Sequence, residues 1–320
     1  MFSIEKKSES GFDNIILKND TTGNYASVVA ACGAILHDFV VIQNDLPVNV
    51  IDSYSSLDEF KNHLEEKGFK GSKLSPFVCR LNNAKYTFGE KEYTTQKYIA
   101  AKHALHGLIY DRPFSIISQN ANESEASVTM KYEYRSEDPG YPFSYDCIVT
   151  WQLEAENKLT VTTECINKDG GLIPMQDGWH PYFSLGGSIN DLQLEFQVKN
   201  MVEFNDELIP TGEVVNYTKF STIEKIGDTF LDNCFTLDLQ ECQPLCVLRN
   251  AEKNIEVQLS PDESYPYLQI YTPPHRTSIA IENLSGTPDA FNNGMGVITL
   301  DAGQSALYKT SYKILLLEKI

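Results

Sequence analysis

The sequence predicts an all-β fold, a large antiparallel β-sandwich. Three observations indicate this class: apolar and polar residues alternate with a period of two in several segments, only one stretch has helical spacing, and no internal repeat or Pro/Gly/Ser-rich linker divides the chain. Such alternation is typical of antiparallel strands with one face in a core and the other in solvent. Many strands with one short helix favour a sandwich or a barrel.

The one predicted helix lies near residue 60. Residues 56–59, Ser-Leu-Asp-Glu, have the form of a capping box that begins a helix. Leu57, Phe60 and Leu64 then recur at helical spacing, and Gly68 supplies a stop.

Alternating segments follow along the rest of the chain. The segment 159–165 alternates ahead of a Lys-Asp-Gly-Gly turn signal at 168–171. In three further segments the apolar residues that would face the core are Val128, Met130, Tyr132 and Tyr134, then Leu192, Leu194, Phe196 and Val198, and then Ile255, Val257 and Leu259.

The chain is predicted to form a single domain over residues 1–320. All-β domains often exceed the usual domain length, so 320 residues do not by themselves require two units. With 42% hydrophobic and 11% aromatic residues, the composition lies in the globular range rather than the disordered one.

Charge and hydropathy exclude several classes of partner. The formal net charge of −18 disfavours nucleic acid and anionic membranes, which attract clusters of Lys and Arg. No apolar run approaches the roughly 20 residues of a membrane span, and the first residues lack a signal-peptide core. We therefore expect a cytoplasmic protein, a monomer or homodimer, that acts on a small molecule. The seven cysteines are scattered without C-x-x-C spacing, which favours reduced, mostly buried thiols.

A few polar residues are candidates for chemistry. His106 and His180 stand in polar company, and an imidazole that titrates near neutrality is the usual proton carrier. In residues 277–283 the alternation turns Glu282 away from the core, although taken alone it reads as an ordinary solvated strand carboxylate. Gln269 and Tyr271 also turn outward, and both side chains suit a sugar.

Asp232 lies between large apolar residues, in the segment Phe-Leu-Asp-Asn-Cys-Phe at 230–235. By itself this pattern predicts a turn.

Five segments stand in a fixed order along the chain: 73–81 with 84–88, 105–107 (Leu-His-Gly), 178–186, 231–235, and 281–283 with 288–292. Together they resemble the aldose 1-epimerase (galactose mutarotase) family, from about Gly33 to Gln304. The resemblance implies a galactose mutarotase-like supersandwich. It also implies an isomerase that interconverts the α and β anomers of a free aldose, such as galactose or glucose, with no cofactor and no metal.

The resemblance also implies roles for individual residues. Glu282 would be the catalytic base and His180 the acid, and the nearby carboxylate is expected to keep that histidine charged. His106 and Asp232 would bind the substrate and stabilise charge, and Arg80 would contact the sugar, as would Gln269 by its position on its strand. The family asparagine that precedes this arginine is replaced by cysteine at position 79, so the preferred sugar cannot be inferred from the resemblance.

Three alternatives stay open at this stage. The four residues His106, His180, Asp232 and Glu282 could ligate zinc or iron, although no short metal-ligand spacing such as H-x-x-x-H occurs. A non-catalytic carbohydrate-binding or regulatory protein could share the fold, because function depends on the site. A hexose-6-phosphate mutarotase would need a basic pocket built from arginines such as Arg80, Arg112, Arg249 and Arg276.

Overall fold

Antiparallel strands form most of the computed structural model, which describes residues 1–318. The helices of this part of the chain are α1 (Leu57–His63) and α2 (Ala290–Asn293), with 3₁₀ turns at Ala30–Cys32, Asn82–Ala84, Ala155–Asn157 and Ile189–Asp191. The strands are β1 Phe2–Glu9, β2 Phe12–Asn19, β3 Tyr25–Val29, β4 Ile35–Gln43, β5 Leu46–Asn49, β6 Ser72–Leu74, β7 Arg80–Leu81, β8 Lys85–Phe88, β9 Lys91–Thr94, β10 Ile99–Ala100, β11 His103–Leu105, β12 Ser115–Ala121, β13 Glu125–Arg135, β14 Ser144–Glu154, β15 Lys158–Asn167, β16 Ile173–Met175, β17 Gly178–His180, β18 Tyr182–Phe183, β19 Gln193–Phe196, β20 Val198–Phe204, β21 Pro210–Asn216, β22 Glu224–Lys225, β23 Asp232–Leu237, β24 Cys246–Asn250, β25 Ile255–Pro261, β26 Tyr267–Tyr271, β27 Ile279–Leu284, β28 Ile298–Leu300 and β29 Ser305–Leu316.

Two large sheets form the sandwich. One has nine strands in the order β12-β13-β14-β15-β29-β25-β24-β19-β22, and the other has eight, in the order β21-β20-β23-β26-β27-β17-β6 with β18 also paired to β27. Their facing side chains share one core, in which the rings of Trp151 and Trp179 lie 5.2 Å apart and those of Phe183 and Tyr312 lie 5.6 Å apart. The predicted all-β antiparallel sandwich is therefore confirmed.

Smaller sheets complete the structure. Strands β1 to β5 form a five-stranded sheet in sequence order, and β10, β11 and β7 form a three-stranded one. Strands β8 and β9 form a hairpin, and β16 pairs with β28. In the part of the chain that the model describes, no helix is both long and apolar enough to cross a membrane.

Most of the predicted strands are observed. The apolar residues of 128–134, 159–165 and 255–259 are buried as the alternation predicts, apart from the partly exposed Tyr132. The segment 192–198 differs, because the chain leaves the nine-stranded sheet after Phe196 and enters the eight-stranded sheet at Val198. The N–H of Gln197, between them, donates to the carbonyl of Leu245.

The helix begins as its capping residues predict, and it ends at His63, before the predicted stop at Gly68. The Ser56 side chain accepts from the Glu59 N–H at 3.1 Å, while the Glu59 carboxylate accepts from the N–H of Ser55, one residue earlier than in a standard capping box. After His63 the chain continues in turns to Gly68, whose N–H donates to the carbonyl of Glu65.

The end of this segment is a Schellman motif. The N–H of Phe69 donates to the carbonyl of Leu64, and Gly68 has φ of +80°. A Cβ atom at Gly68 would also lie 2.6 Å from the Tyr182 hydroxyl. The predicted stop therefore needs glycine for both its conformation and its close contact. All seven cysteines are free, and only Cys242 is exposed, as predicted.

Candidate active site

Polar side chains lie together on one face of the eight-stranded sheet. Glu282 on β27 pairs directly with Gln269 on β26, and Asp232 on β23 pairs with Tyr271 on β26. The register of β17 and β18 along β27 brings His180 beside Glu282. Because side chains alternate between the faces of a strand, these groups oppose the core-facing residues.

The position of Glu282 excludes an ordinary solvated carboxylate. Every residue of β27 is buried, with Ile279 and Ile281 in the sandwich core and Glu282 only 1% exposed. The alternation correctly predicts which face Glu282 occupies. It does not reveal that other segments cover this face.

The small sheet of β10, β11 and β7 supplies part of that cover. Arg80 on β7 pairs with Leu105 at the end of β11, and His106 follows directly. The His106 N–H donates to the Cys79 carbonyl at 2.8 Å. Cys79 and His106 both have positive φ, at 47° and 62°, a conformation that non-glycine residues rarely adopt and that often occurs at functional sites.

The predicted site residues all line one pocket of about 210 Å³. They come from widely separated parts of the chain and are Arg80, His106, His180, Asp232, Gln269 and Glu282. Their proximity is a property of the fold, and their individual roles stay predictions.

Tyr271, which the alternation turns outward, and Cys79 also line the pocket. Its other residues were not selected from the sequence as site candidates, namely Glu65, Gly68, Phe69, Tyr98, Leu105, Tyr182, Phe204 and Pro288. Tyr182 follows His180 by two residues and stacks against its ring at 5.2 Å. Alternation could have identified Tyr182, whereas Glu65 and Tyr98 lie outside strands and have no such local signal.

Burial raises the pKa of Glu282 well above its ordinary value. The negative charge of Asp232 raises it further, while Arg80 and a contact with the Cys79 thiol, whose sulfur lies 3.9 Å from Oε2, oppose the shift. Glu282 therefore holds a proton more readily than an exposed glutamate does.

His180 does not have the raised pKa expected from its carboxylate neighbour. Its Nε2 atom lies 3.3 Å from Oε1 of Glu282, yet burial lowers its pKa to about 4. The expectation of a persistently charged imidazole is wrong, because burial removes the hydration that the charged ring requires.

His106 is also held in its neutral form. Burial lowers its pKa well below the ordinary value, and the neighbouring His180 and Arg80 lower it further. Its ring packs edge-on against His180 with centroids 4.8 Å apart, and it contacts Phe69 at 4.6 Å. The Nδ1 atoms of both histidines are buried without a hydrogen-bond partner.

Asp232 begins strand β23 rather than forming part of a turn, so the interpretation of residues 230–235 as a turn is wrong. Pairing with β26 holds this segment extended. Gln269 Nε2 donates to Asp232 Oδ1 at 2.9 Å, and Gln269 Oε1 has no partner. Burial raises the pKa of Asp232, while Arg80 and this hydrogen bond act in the opposite direction.

The arginines do not converge. Arg80 is the one Lys or Arg side chain that lines the pocket within residues 1–318. Arg112 pairs with Glu137, and Arg249 pairs with Glu256. Arg276 donates to Asn190 and to backbone carbonyls elsewhere. A basic phosphate pocket built from these four residues is therefore absent.

Comparison with known proteins agrees with this geometry. The protein-family model described as aldose 1-epimerase matches residues 14–313. The uncharacterized protein YihR of Escherichia coli is 24% identical over 73% of this chain and 75% of its own, and an aldose 1-epimerase of Streptococcus thermophilus is 23% identical over 96% of each chain.

A solved structure of a galactose mutarotase-like protein from Clostridium acetobutylicum superposes with a TM-score of 0.87, at 17% identity and over 99% of both chains. That similarity shows a shared fold. Since the family model spans nearly the whole sequence and the residues of its characteristic segments meet in one pocket, the chain belongs to the aldose 1-epimerase family.

Proposed function

We propose that this protein is an aldose 1-epimerase, a mutarotase that interconverts the α and β anomers of a free aldose such as galactose or glucose. Glu282 is the base and His180 is the acid. The observation that supports the proposal most directly is the 3.3 Å contact between these two side chains in a buried pocket. An acid and a base this close to each other can act on two oxygens bonded to the same carbon.

Ring opening requires two proton transfers at the anomeric carbon. Glu282 takes the proton of the anomeric hydroxyl while His180 gives a proton to the ring oxygen, so the ring C–O bond breaks and a carbonyl forms. The carbonyl group then rotates. On closure, His180 takes back the proton of the chain hydroxyl and Glu282 returns its proton to the carbonyl oxygen, which restores both groups and gives the other anomer.

This cycle needs a pair that holds one proton in total. Burial lowers the pKa of His180 to about 4 and raises the pKa of Glu282, so it favours a neutral imidazole and a protonated carboxyl, which together hold one proton. Burial therefore favours the proton on Glu282. Transfer across the 3.3 Å contact gives the carboxylate and imidazolium that begin ring opening.

The remaining predicted residues bind and orient the sugar. Gln269 and Asp232, joined by their 2.9 Å hydrogen bond, offer an amide and a carboxyl group to hydroxyls. Arg80 and the neutral His106 offer donors to oxygens that gain negative charge as the ring opens. Tyr271 supplies an aromatic wall for the apolar face of a sugar.

The pocket favours a free sugar over a phosphorylated one. Its volume of about 210 Å³ lies below the range typical of pockets for drug-sized ligands, which suits one monosaccharide. Glu65, Asp232 and Glu282 line it together with a single arginine, Arg80. A phosphate group, which carries close to two negative charges, would lack the cluster of basic donors that it requires.

Polarimetry tests this proposal against the non-catalytic alternative. Freshly dissolved α-glucose, α-galactose and xylose should each be followed with and without the protein. An epimerase accelerates the approach to anomeric equilibrium in proportion to protein concentration for at least one sugar. A carbohydrate-binding protein of the same fold would bind a sugar in calorimetry and leave every rate at the buffer value.

A further inference from the structure

Three side chains with different ligand chemistry converge beside the catalytic pair. The Cys79 sulfur, a ring nitrogen of His106 and a carboxylate oxygen of Glu282 all lie within 4.8 Å of one another. The three residues are 4%, 7% and 1% exposed. They come from three separate segments, so no local spacing in the sequence could reveal the group.

The side chains of this group have few competing partners. His106 Nδ1 is buried without any hydrogen-bond partner, although the residue is more than nine-tenths buried. The Cys79 thiol has only a long contact of 3.9 Å, to Glu282 Oε2. An unpaired buried nitrogen and a weakly paired thiol cost free energy to bury unless a further partner satisfies them.

We propose that Cys79, His106 and Glu282 bind a thiophilic divalent cation of the Zn²⁺ class inside the pocket. Thiolate, imidazole and carboxylate are the usual protein ligands of zinc. Three protein ligands leave a fourth position of the tetrahedron, which water would take. The sulfur ligand distinguishes this group from a set of histidines and carboxylates alone, because a thiolate favours zinc over magnesium or calcium.

The distances indicate a site that is nearly formed. Tetrahedral zinc with ordinary bond lengths separates sulfur, nitrogen and oxygen ligands by about 3.3–3.6 Å. The Cys79 and Glu282 atoms at 3.9 Å must approach by a few tenths of an ångström, and the widest pair, within 4.8 Å, by about 1 Å. Side-chain rotation of this size lowers affinity relative to a preformed structural zinc site, so binding is reversible.

The cation also changes protonation. The thiol and the carboxyl each release their proton to solvent on coordination, because the ligands of zinc are thiolate and carboxylate. Without the ion, burial keeps the pKa of Cys79 and of Glu282 high. The positive field of a bound divalent ion lowers both pKa values.

Bound metal would inhibit the epimerase, and this consequence rests on the proposed function. Glu282 cannot take a proton from the sugar while its carboxylate is coordinated. The position that a sugar oxygen would approach is also occupied. Cys79 thus makes the activity sensitive to zinc. Asparagine, which other family members commonly carry at this position, would not make it so.

Cobalt substitution tests the metal site without reference to activity. Every protein carries Cys242→Ser, which removes the one exposed thiol and hence metal bound at the surface. Added Co²⁺ should give a sulfur-to-cobalt charge-transfer absorption in the Cys242→Ser protein and lose it in Cys79→Ser/Cys242→Ser. Zinc affinity, measured by competition with a chromophoric chelator, should fall at least tenfold in the double variant. Absence of the sulfur band in the Cys242→Ser protein, or equal zinc affinity in the two proteins, would overturn the site.

Polarimetry in the presence of zinc tests the consequence separately. For each protein, the mutarotation rate with added zinc is compared with the rate of the same protein after a chelator has removed its metal. Zinc should inhibit the Cys242→Ser protein and inhibit Cys79→Ser/Cys242→Ser at least tenfold less. Sulfur ligation without inhibition would refute the shared use of Glu282. If the metal-free protein does not mutarotate any sugar, the proposed function fails, whereas the cobalt spectrum still decides whether the site exists.

Discussion

The Nε2 atom of His180 lies 3.3 Å from Oε1 of Glu282, and both side chains are almost fully buried. Burial acts on the two groups in a complementary way, since it lowers the pKa of the imidazole to about 4 and raises the pKa of the carboxyl. Each group thereby favours its neutral form. Two neutral groups of this kind hold one proton between them, which is the state that the proposed ring opening requires.

Because the two groups act on one proton, their substitutions should not be additive. His180→Gln and Glu282→Gln should each lower kcat by roughly 10²–10⁴-fold. The kcat of the double variant should be no more than about tenfold lower than the kcat of the less active single variant, because either loss alone already prevents the paired proton transfer. Polarimetric rates of the four proteins measure this coupling. Losses that multiply in the double variant would indicate independent roles.

The pH dependence of kcat/KM should have an acid limb near pH 4. Above this value His180 is neutral and the pair holds one proton; as the pH falls through about 4, a second proton is added and no group remains to accept the sugar's proton. Activity should therefore fall as the pH falls, and at the alkaline end it should fall when Glu282 loses the only proton. Polarimetry corrected for the buffer rate at each pH measures this profile. An acid limb near pH 6.5, the ordinary histidine value, would contradict it.

Gln269→Ala should weaken substrate binding more than turnover. It removes an amide that lines the pocket and leaves Asp232 without its 2.9 Å hydrogen bond. The loss of a hydrogen bond of this kind corresponds to about a tenfold rise in KM, with kcat changed by less than about threefold. Gln258→Ala is a matched control, because Gln258 donates to Glu256 on the nine-stranded sheet, away from the pocket. Equal kinetic effects of the two substitutions would argue against a binding role.

Gly68→Ala tests the contact between Gly68 and Tyr182 at the edge of the pocket, through its effect on the free energy of unfolding. The substitution forces alanine to adopt φ of +80° and places its Cβ 2.6 Å from the hydroxyl of Tyr182, whose ring stacks on His180. We expect a loss of about 2–3 kcal/mol in the free energy of unfolding, measured by urea denaturation. Gly187→Ala is the control, since Gly187 has φ of +76° with nothing near its added Cβ, and it should cost only about 1 kcal/mol. Equal losses would show that the Tyr182 contact adds nothing.

Local pattern was enough to predict several of the strands and the faces of their side chains. Ile281 and Glu282 lie on opposite faces of β27 because their side chains must alternate, and Gly68 closes the turns after α1 because the left-handed conformation favours glycine. The site residues were identified through a family resemblance, since none of their short motifs is specific alone.

Long-range geometry could not be predicted in this way. The register that places His180 beside Glu282 depends on the pairing of strands about one hundred residues apart, and Cys79 meets Glu282 across a separation of 203 residues. The cover over Glu282 comes from segments whose sequence gives no sign of where they pack. For the same reason the expected rise in the pKa of His180 was wrong, because the size of the desolvation depends on that cover.

Glu282→Gln measures the central claim most directly, because it preserves the shape and much of the hydrogen bonding of the side chain while it removes the carboxylate. The account predicts that polarimetric turnover of the preferred free aldose falls roughly 10²–10⁴-fold while the sugar still binds in calorimetry. The exposed Glu263→Gln serves as the control and should turn over at the wild-type rate. A Glu282→Gln protein that mutarotates the sugar at the wild-type rate, as the control does, would contradict the proposed mechanism.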